Sequence, residues 1–178
     1  MSTNTYSLKV ILAALCKVSK NSNNTFTAKK RTLFNKAAVG GMSSRTLKLF
    51  FLSLPFIEFA IIFNPIIFAK LGIAQSIVFY IVFMSIIMII IFFVSWKNNK
   101  SVLEKVIPAW NEYFPDVDLK QVLSSGVSPY NKFFSEYSRL LDKNLSPTDL
   151  KIDLRKSFDD MQEENKDLLE AIARDSSR

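Results

Sequence analysis

The sequence predicts an all-α membrane protein: a two-helix transmembrane hairpin, a basic N-terminal arm and a small helical C-terminal cytoplasmic domain. Three observations predict it. Residues 47–96 form an apolar block whose only charges are Lys48, Glu58 and Lys70. The stretch before it is basic and free of acids, since residues 1–57 hold nine lysines and arginines and the first acid is Glu58. Residues 97–178 mix thirteen bases with fifteen acids and repeat apolar residues at helical spacing between turn signals. The formal charge of +7 therefore belongs to the front of the chain.

The arm, 1–46, contains two candidate amphipathic helices. Leu8, Ile11, Leu12, Leu15 and Val18 share one helical stripe, with Lys9 and Lys17 off it. The Asn/Ser-rich stretch 19–25 reads as a link. A second helix is expected over 27–39, with Thr27 as N-cap and Gly40 as stop; it carries Lys29, Lys30, Arg31 and Lys36, with Leu33, Phe34 and Ala37 as its apolar side. With Arg45 and Lys48 these bases form the candidate lipid surface. A basic residue near anionic lipid gains about 1 kcal/mol. The competing readings are a nucleic-acid contact, an organelle transit peptide and a device that only enforces topology. Tethering beside a bilayer favours lipid or topology, so no nucleic acid is expected. The run 12–16 ends in Cys16 but does not make a lipoprotein signal: Leu15 is too large for the preceding position and the apolar core is too short.

Two crossings are expected, 47–69 and 73–96. A span needs roughly 20 apolar residues. Lys70, Leu71 and Gly72 make the turn, with Gly72 in a left-handed position. Trp96 suits the interface and is followed by Lys97 and Lys100. Arg31, Lys36, Arg45 and Lys48 precede the block and Lys97, Lys100 and Lys105 follow it, whereas the turn has only Lys70. Positive residues stay inside, so both termini are expected in the cytoplasm. A hairpin dipping into one leaflet would give the same topology.

Behind the block, Val102, Leu103, Val106, Ile107 and Trp110 recur at helical spacing, with Pro108 as an expected kink or break. Asp116 or Asp118 can cap a short helix ending near Gly126. Ser128–Pro129 and Ser146–Pro147 read as N-cap followed by proline at the first helical position. The first of these helices carries Phe133, Phe134, Tyr137, Leu140 and Leu141. The second is expected over 147–173, where Leu154, Phe158, Met161, Asn165, Leu168 and Ile172 follow heptad spacing. A single Asn at an a position sets coiled-coil register, so this stripe is a candidate interaction helix. The competing arrangement packs it inside its own domain.

Little in the chain points to catalysis. There is no histidine, which removes histidine-based triads and zinc sites, and one cysteine, which removes an intrachain disulfide. Asp116-Val117-Asp118 is too short a match to acidic metal pairs, and 40–44 lacks the lysine of a phosphate loop. The triplets at Asn23 and Asn144 match N-glycosylation acceptors but are expected on the cytoplasmic side. No catalytic residue, metal or cofactor is assigned. Glu58 stands out, because a carboxylate at mid-bilayer costs a few kcal/mol and must be neutral, paired or turned to a cavity. Ser53 and Asn64 lie 120–140° round the same helix, so the three are read as two polar contact lines rather than one ion path. These features imply a non-enzymatic protein of a bacterial inner membrane that binds lipid and a membrane or cytoplasmic partner, or itself. Accessory, exclusion, immunity and defence components have this build. The alternative is an oligomeric pore using Glu58. The abundance of Asn, Lys, Ile and Phe is compatible with an AT-rich bacterial or mobile-element gene.

Overall fold

The computed structural model describes residues 6–22 and 24–176. They are mostly helical, with seven α-helices, one 3-10 turn and one two-stranded sheet. Helix α1 (Leu8–Leu15) is apolar on almost every side, and Leu8, Ile11, Leu12, Ala14 and Leu15 are all buried. It passes straight into strand β1 (Cys16–Lys20), which pairs antiparallel with β2 (Phe26–Lys30). The link expected over 19–25 is the hairpin connection. Asn24 takes a left-handed φ of 66° there, and Asn21 N–H donates to the Thr25 carbonyl at 2.9 Å.

The helix expected over 27–39 does not form. Its first part is β2 and its last part a 3-10 turn, Lys36–Val39, closed by Gly40 in the left-handed region at φ 79°. The reason is tertiary. α1 ends with unsatisfied carbonyls, and the returning chain meets them: Arg31 N–H donates to Leu15 O and Asn35 N–H to Ala14 O, both at 2.9 Å. The outer edge of β2 is covered from far along the chain. Phe26 N–H donates to Asp142 Oδ1 and Ala28 N–H to Ser138 Oγ, each at 2.7 Å. Two side chains one helical turn apart thus occupy donors that would otherwise form an open sheet edge.

α2 (Ser44–Ile62) begins at Ser43, whose hydroxyl accepts from Arg45 N–H, and ends at Ile62. The first span expected over 47–69 is therefore interrupted. Asn64 caps the next helix, accepting from Ile66 N–H at 3.0 Å, and Pro65 takes its first position. Asn64–Pro65 is thus a helix start signal. α3 (Pro65–Tyr113) is interrupted once, at Gly72 (φ 75°, ψ 175°), a conformation confined to glycine. Past Gly72 it runs on through Pro108, without the break expected there. α2 packs antiparallel on it: Phe59 and Phe63 meet Tyr80, with ring centroids 6.2 Å apart in each pair, and Leu47 lies level with Phe93 and Val94. Among the described residues α3 alone is long and apolar enough to cross a membrane. Its best 18-residue stretch has mean hydropathy 3.2 and is not buried at all.

The end of α3 enters a folded domain, where Val102, Val106, Ala109 and Trp110 are buried. α4 (Leu119–Val122) is capped by Asp118, whose carboxylate accepts from Lys120 N–H at 2.9 Å. α5 (Phe133–Asp142), α6 (Pro147–Glu164) and α7 (Lys166–Ser176) complete the chain. Phe158 of α6 is the centre of the core. It stacks on Phe133 at 5.6 Å and meets Trp110, Phe114 and Tyr130 edge-on at 5.1–5.9 Å. The Trp110 indole donates to Val117 O at 2.8 Å, so its one polar atom is satisfied. The same core contains Leu8, Ile11, Leu12 and Leu15 of α1, Ala28 of β2 and Phe34. The arm and the domain that the sequence separates therefore share one buried core. Truncating Phe158 to Ala should cost about 3–5 kcal/mol. A lowered urea midpoint in micelles, followed by tryptophan emission, reports it.

Candidate functional site

Glu58 lies on the face of α2 that meets α3. It is 7 % exposed, and neither carboxylate oxygen has a hydrogen-bond partner. It lines an apolar cleft of about 380 Å³ with Leu54 and Ile62 of its own helix and Phe83, Ile87 and Ile90 of α3. The carboxyl is the one polar side chain among the residues that line this cleft. Ser76, fully buried one stripe position before Tyr80, also has an unpartnered hydroxyl. Three other polar side chains of this region are locally satisfied. Ser53 Oγ donates to Phe50 O at 2.7 Å, Ser85 Oγ to Ile81 O at 2.9 Å, and Asn64 caps α3. The second polar line proposed for Ser53 and Asn64 therefore dissolves, since the two sit on different helices and each is occupied.

The six bases of the expected lipid surface do not share one face. Lys29 is exposed on β2, directly across from Lys17, so two like charges face each other. Lys30 Nζ donates to Leu123 O, and Arg31 Nε donates to Cys16 O at 2.9 Å. The first fastens the β-hairpin to the domain, and the second ties the end of β2 to the start of β1. Lys36 is half-buried in the 3-10 turn, and Arg45 and Lys48 are exposed on the first turns of α2.

The terminal stripe divides at Asn165. Leu154, Phe158 and Met161 are buried in the domain core, so they have no surface to offer. Asn165 ends α6 and lies between two helices instead of inside one: its Nδ2 donates to Met161 O at 2.9 Å and to Pro129 O at 3.1 Å. Its amide thus fixes the α6–α7 corner, where the heptad spacing suggested a buried pair between chains. Leu168 and Ile172, with Leu169, stay half-exposed on α7.

Other motifs are absorbed locally. Asp118 caps α4 and Asp116 binds Arg155 at 2.9 Å. Asn23 lies outside the described residues; Asn144 turns the chain into α6 at φ 47°. Among the described residues no group of three or more His, Cys, Asp or Glu side chains could hold a metal ion.

Two residues that the sequence reading passed over carry much of the architecture. Asn99 Oδ1 accepts from Phe34 N–H at 2.8 Å, and its Nδ2 donates to Thr32 O at 2.9 Å. Asn98 Nδ2 donates to Phe34 O at 3.0 Å. These two amides hold 32–34 against α3 where it leaves its apolar stretch. Their signal in the sequence is only a pair of asparagines after Trp96-Lys97.

Cys16 is 2 % exposed, and burial pushes its thiol up to about 12, opposed in part by Arg31. Tyr137 is pushed to about 12 as well, by burial first and by Cys16 second. Both groups are neutral in the folded domain, and their raised values mean that their stabilising contribution is complete below pH 9. It is lost as pH rises toward 12. The urea midpoint should therefore fall between pH 8 and pH 11, and Cys16→Ala should lose less over that interval. An equal loss in both proteins would remove Cys16 from the explanation. The chain matches no known family model, no curated protein and no solved structure.

Proposed function

We propose that this chain is a non-enzymatic membrane protein in which α2 and the first half of α3 cross a bilayer as a hairpin. The folded domain would then stand in the cytoplasm as a binding module, in a bacterial inner membrane. One observation carries the reading. Among the described residues, every exposed large apolar side chain except Val18, Met42, Val127 and Ile152 lies between Leu49 and Trp96. In water such a surface would be far larger than monomers tolerate, and a helix apolar all round is expected in lipid. The 19 residues of α2 reach about 28 Å at 1.5 Å per residue, close to the roughly 30 Å of a bilayer core. Its two bases, Arg45 and Lys48, lie in the first two turns, where long basic side chains reach the interface.

The partner surface we assign is α7, through Leu168, Leu169 and Ile172. An accessory, exclusion, immunity or defence role would fit this build. A second reading rests on the orphaned Glu58 carboxyl, which would line a pore if several copies turned their clefts together.

Orientation is tested with impermeant maleimide on intact cells. Cys16 is buried and can stay in place. Lys70→Cys should label from outside, whereas Ser22→Cys and Ser125→Cys should label only after permeabilisation. The opposite pattern would invert the topology. Proton or cation leak in proteoliposomes that disappears in Glu58→Gln would favour the pore; no leak in either protein would favour the anchor.

A further inference from the structure

Where α3 leaves its apolar stretch, a second cleft of about 600 Å³ opens between the 3-10 turn, the start of α2 and α3. Its two halves differ in chemistry. Leu47, Phe93 and Val94 line the half that continues the apolar hairpin; Lys36, Lys97 and Lys105 line the half beside the domain. These lysines come from two segments some sixty residues apart in sequence. No acid lines the cleft, and among the described residues none of the three lysines has an acidic partner. Glu104, one turn from Ser101 on α3, is exposed and outside the lining.

The cleft is also a shaped one. Lys105 Nζ donates to Val39 O at 3.1 Å, which fixes one charge over the loop. Lys36 lies across Gly41 so closely that a Cβ there would collide with its Cγ and Cδ. Beside the cleft, Trp96 is 52 % exposed, with Lys100 Nζ 5.5 Å from its ring centroid, the pairing of an interfacial aromatic with a base.

We infer that this cleft holds one anionic phospholipid of the surrounding bilayer, with its phosphate among Lys36, Lys97 and Lys105 and an acyl chain along Leu47, Phe93 and Val94. The inference rests on the hairpin crossing the membrane, because only then does the lysine half sit at headgroup depth. Charge selects the headgroup, and the continuous apolar wall selects lipid over a free phosphate. An occupant here touches α2, α3 and the N-terminal loop together, so it would brace the domain against the bilayer.

The test uses the full chain in nanodiscs of equal phosphatidylglycerol and phosphatidylcholine, with native mass spectrometry counting retained lipid. The wild type should retain one phosphatidylglycerol in preference to phosphatidylcholine, and millimolar glycerol phosphate should not displace it. Replacing Lys36, Lys97 and Lys105 by Gln should weaken retention by roughly fivefold per lysine. Replacing all three by Arg should preserve it, which separates lost charge from lost folding. Replacing the remote, exposed Lys120, Lys156 and Lys166 by Gln should leave it intact. Equal losses in the cleft and remote triples would overturn the site, as would displacement by glycerol phosphate or retention of both lipids alike. A protein that enters nanodiscs but shows no preference refutes the cleft and leaves the anchor standing. One that fails to float with vesicles at all refutes both.

Discussion

The structure depends on one helix that works in two surroundings. After Gly72, α3 runs for about 60 Å, with exposed Ile, Val and Phe along its first half and Val102, Val106 and Trp110 inside a packed core at its end. The change of surroundings falls within a few residues, from Trp96 to Asn99. There the N-terminal segment is tied to the helix through Asn98 and Asn99. A helix end that enters a core needs other elements to cover it, and the chain supplies them from both sides, with α1 and β2 before it and α5 and α6 after it. The domain is thus assembled from two segments separated by the entire apolar block.

That arrangement joins the apolar hairpin to the domain without a linker. The 3-10 turn, the Gly40–Gly41 corner and the start of α2 form a short return path between the core and the hairpin base. The basic cleft lies on this path. Movement of the domain relative to α2 would have to open the cleft or strain the corner, so a ligand in it and the posture of the domain are coupled through the same few residues. The fixed end of α6 at Asn165 gives α7 a defined departure angle, set by hydrogen bonds to Pro129 and Met161.

Features encoded over a few residues were legible in the sequence. The apolar block, the stop at Gly40 and the caps at Asp118 and Ser146 all depend on neighbours within about four positions; Gly72 does break the helix, but at φ 75°, ψ 175° and not in the left-handed position expected. The apolar stripe of α1 was legible as far as Leu15. The β-hairpin was not, because Leu33, Phe34 and Ala37 keep helical spacing while the forces that select a strand lie about 110 residues away, at Ser138 and Asp142. Local pattern has no access to a pairing of that range. The heptad spacing through Asn165 likewise carried no sign that Pro129 would take its amide. Of the candidate site, Glu58 was legible as a charge out of place. The lysine cleft was not, because Lys36 meets Lys97 and Lys105 only after the chain has turned back.

Hydrogen exchange on the full chain in nanodiscs tests the shared core most directly. If α1, β2 and the end of α3 form one body with α5 and α6, then amides of 8–15 and 26–34 should exchange as slowly as those of α5 and α6, and all should be released together as denaturant rises. Fast exchange across 8–34 beside a protected α5 and α6 would make the N-terminal segment a free arm and contradict the single domain.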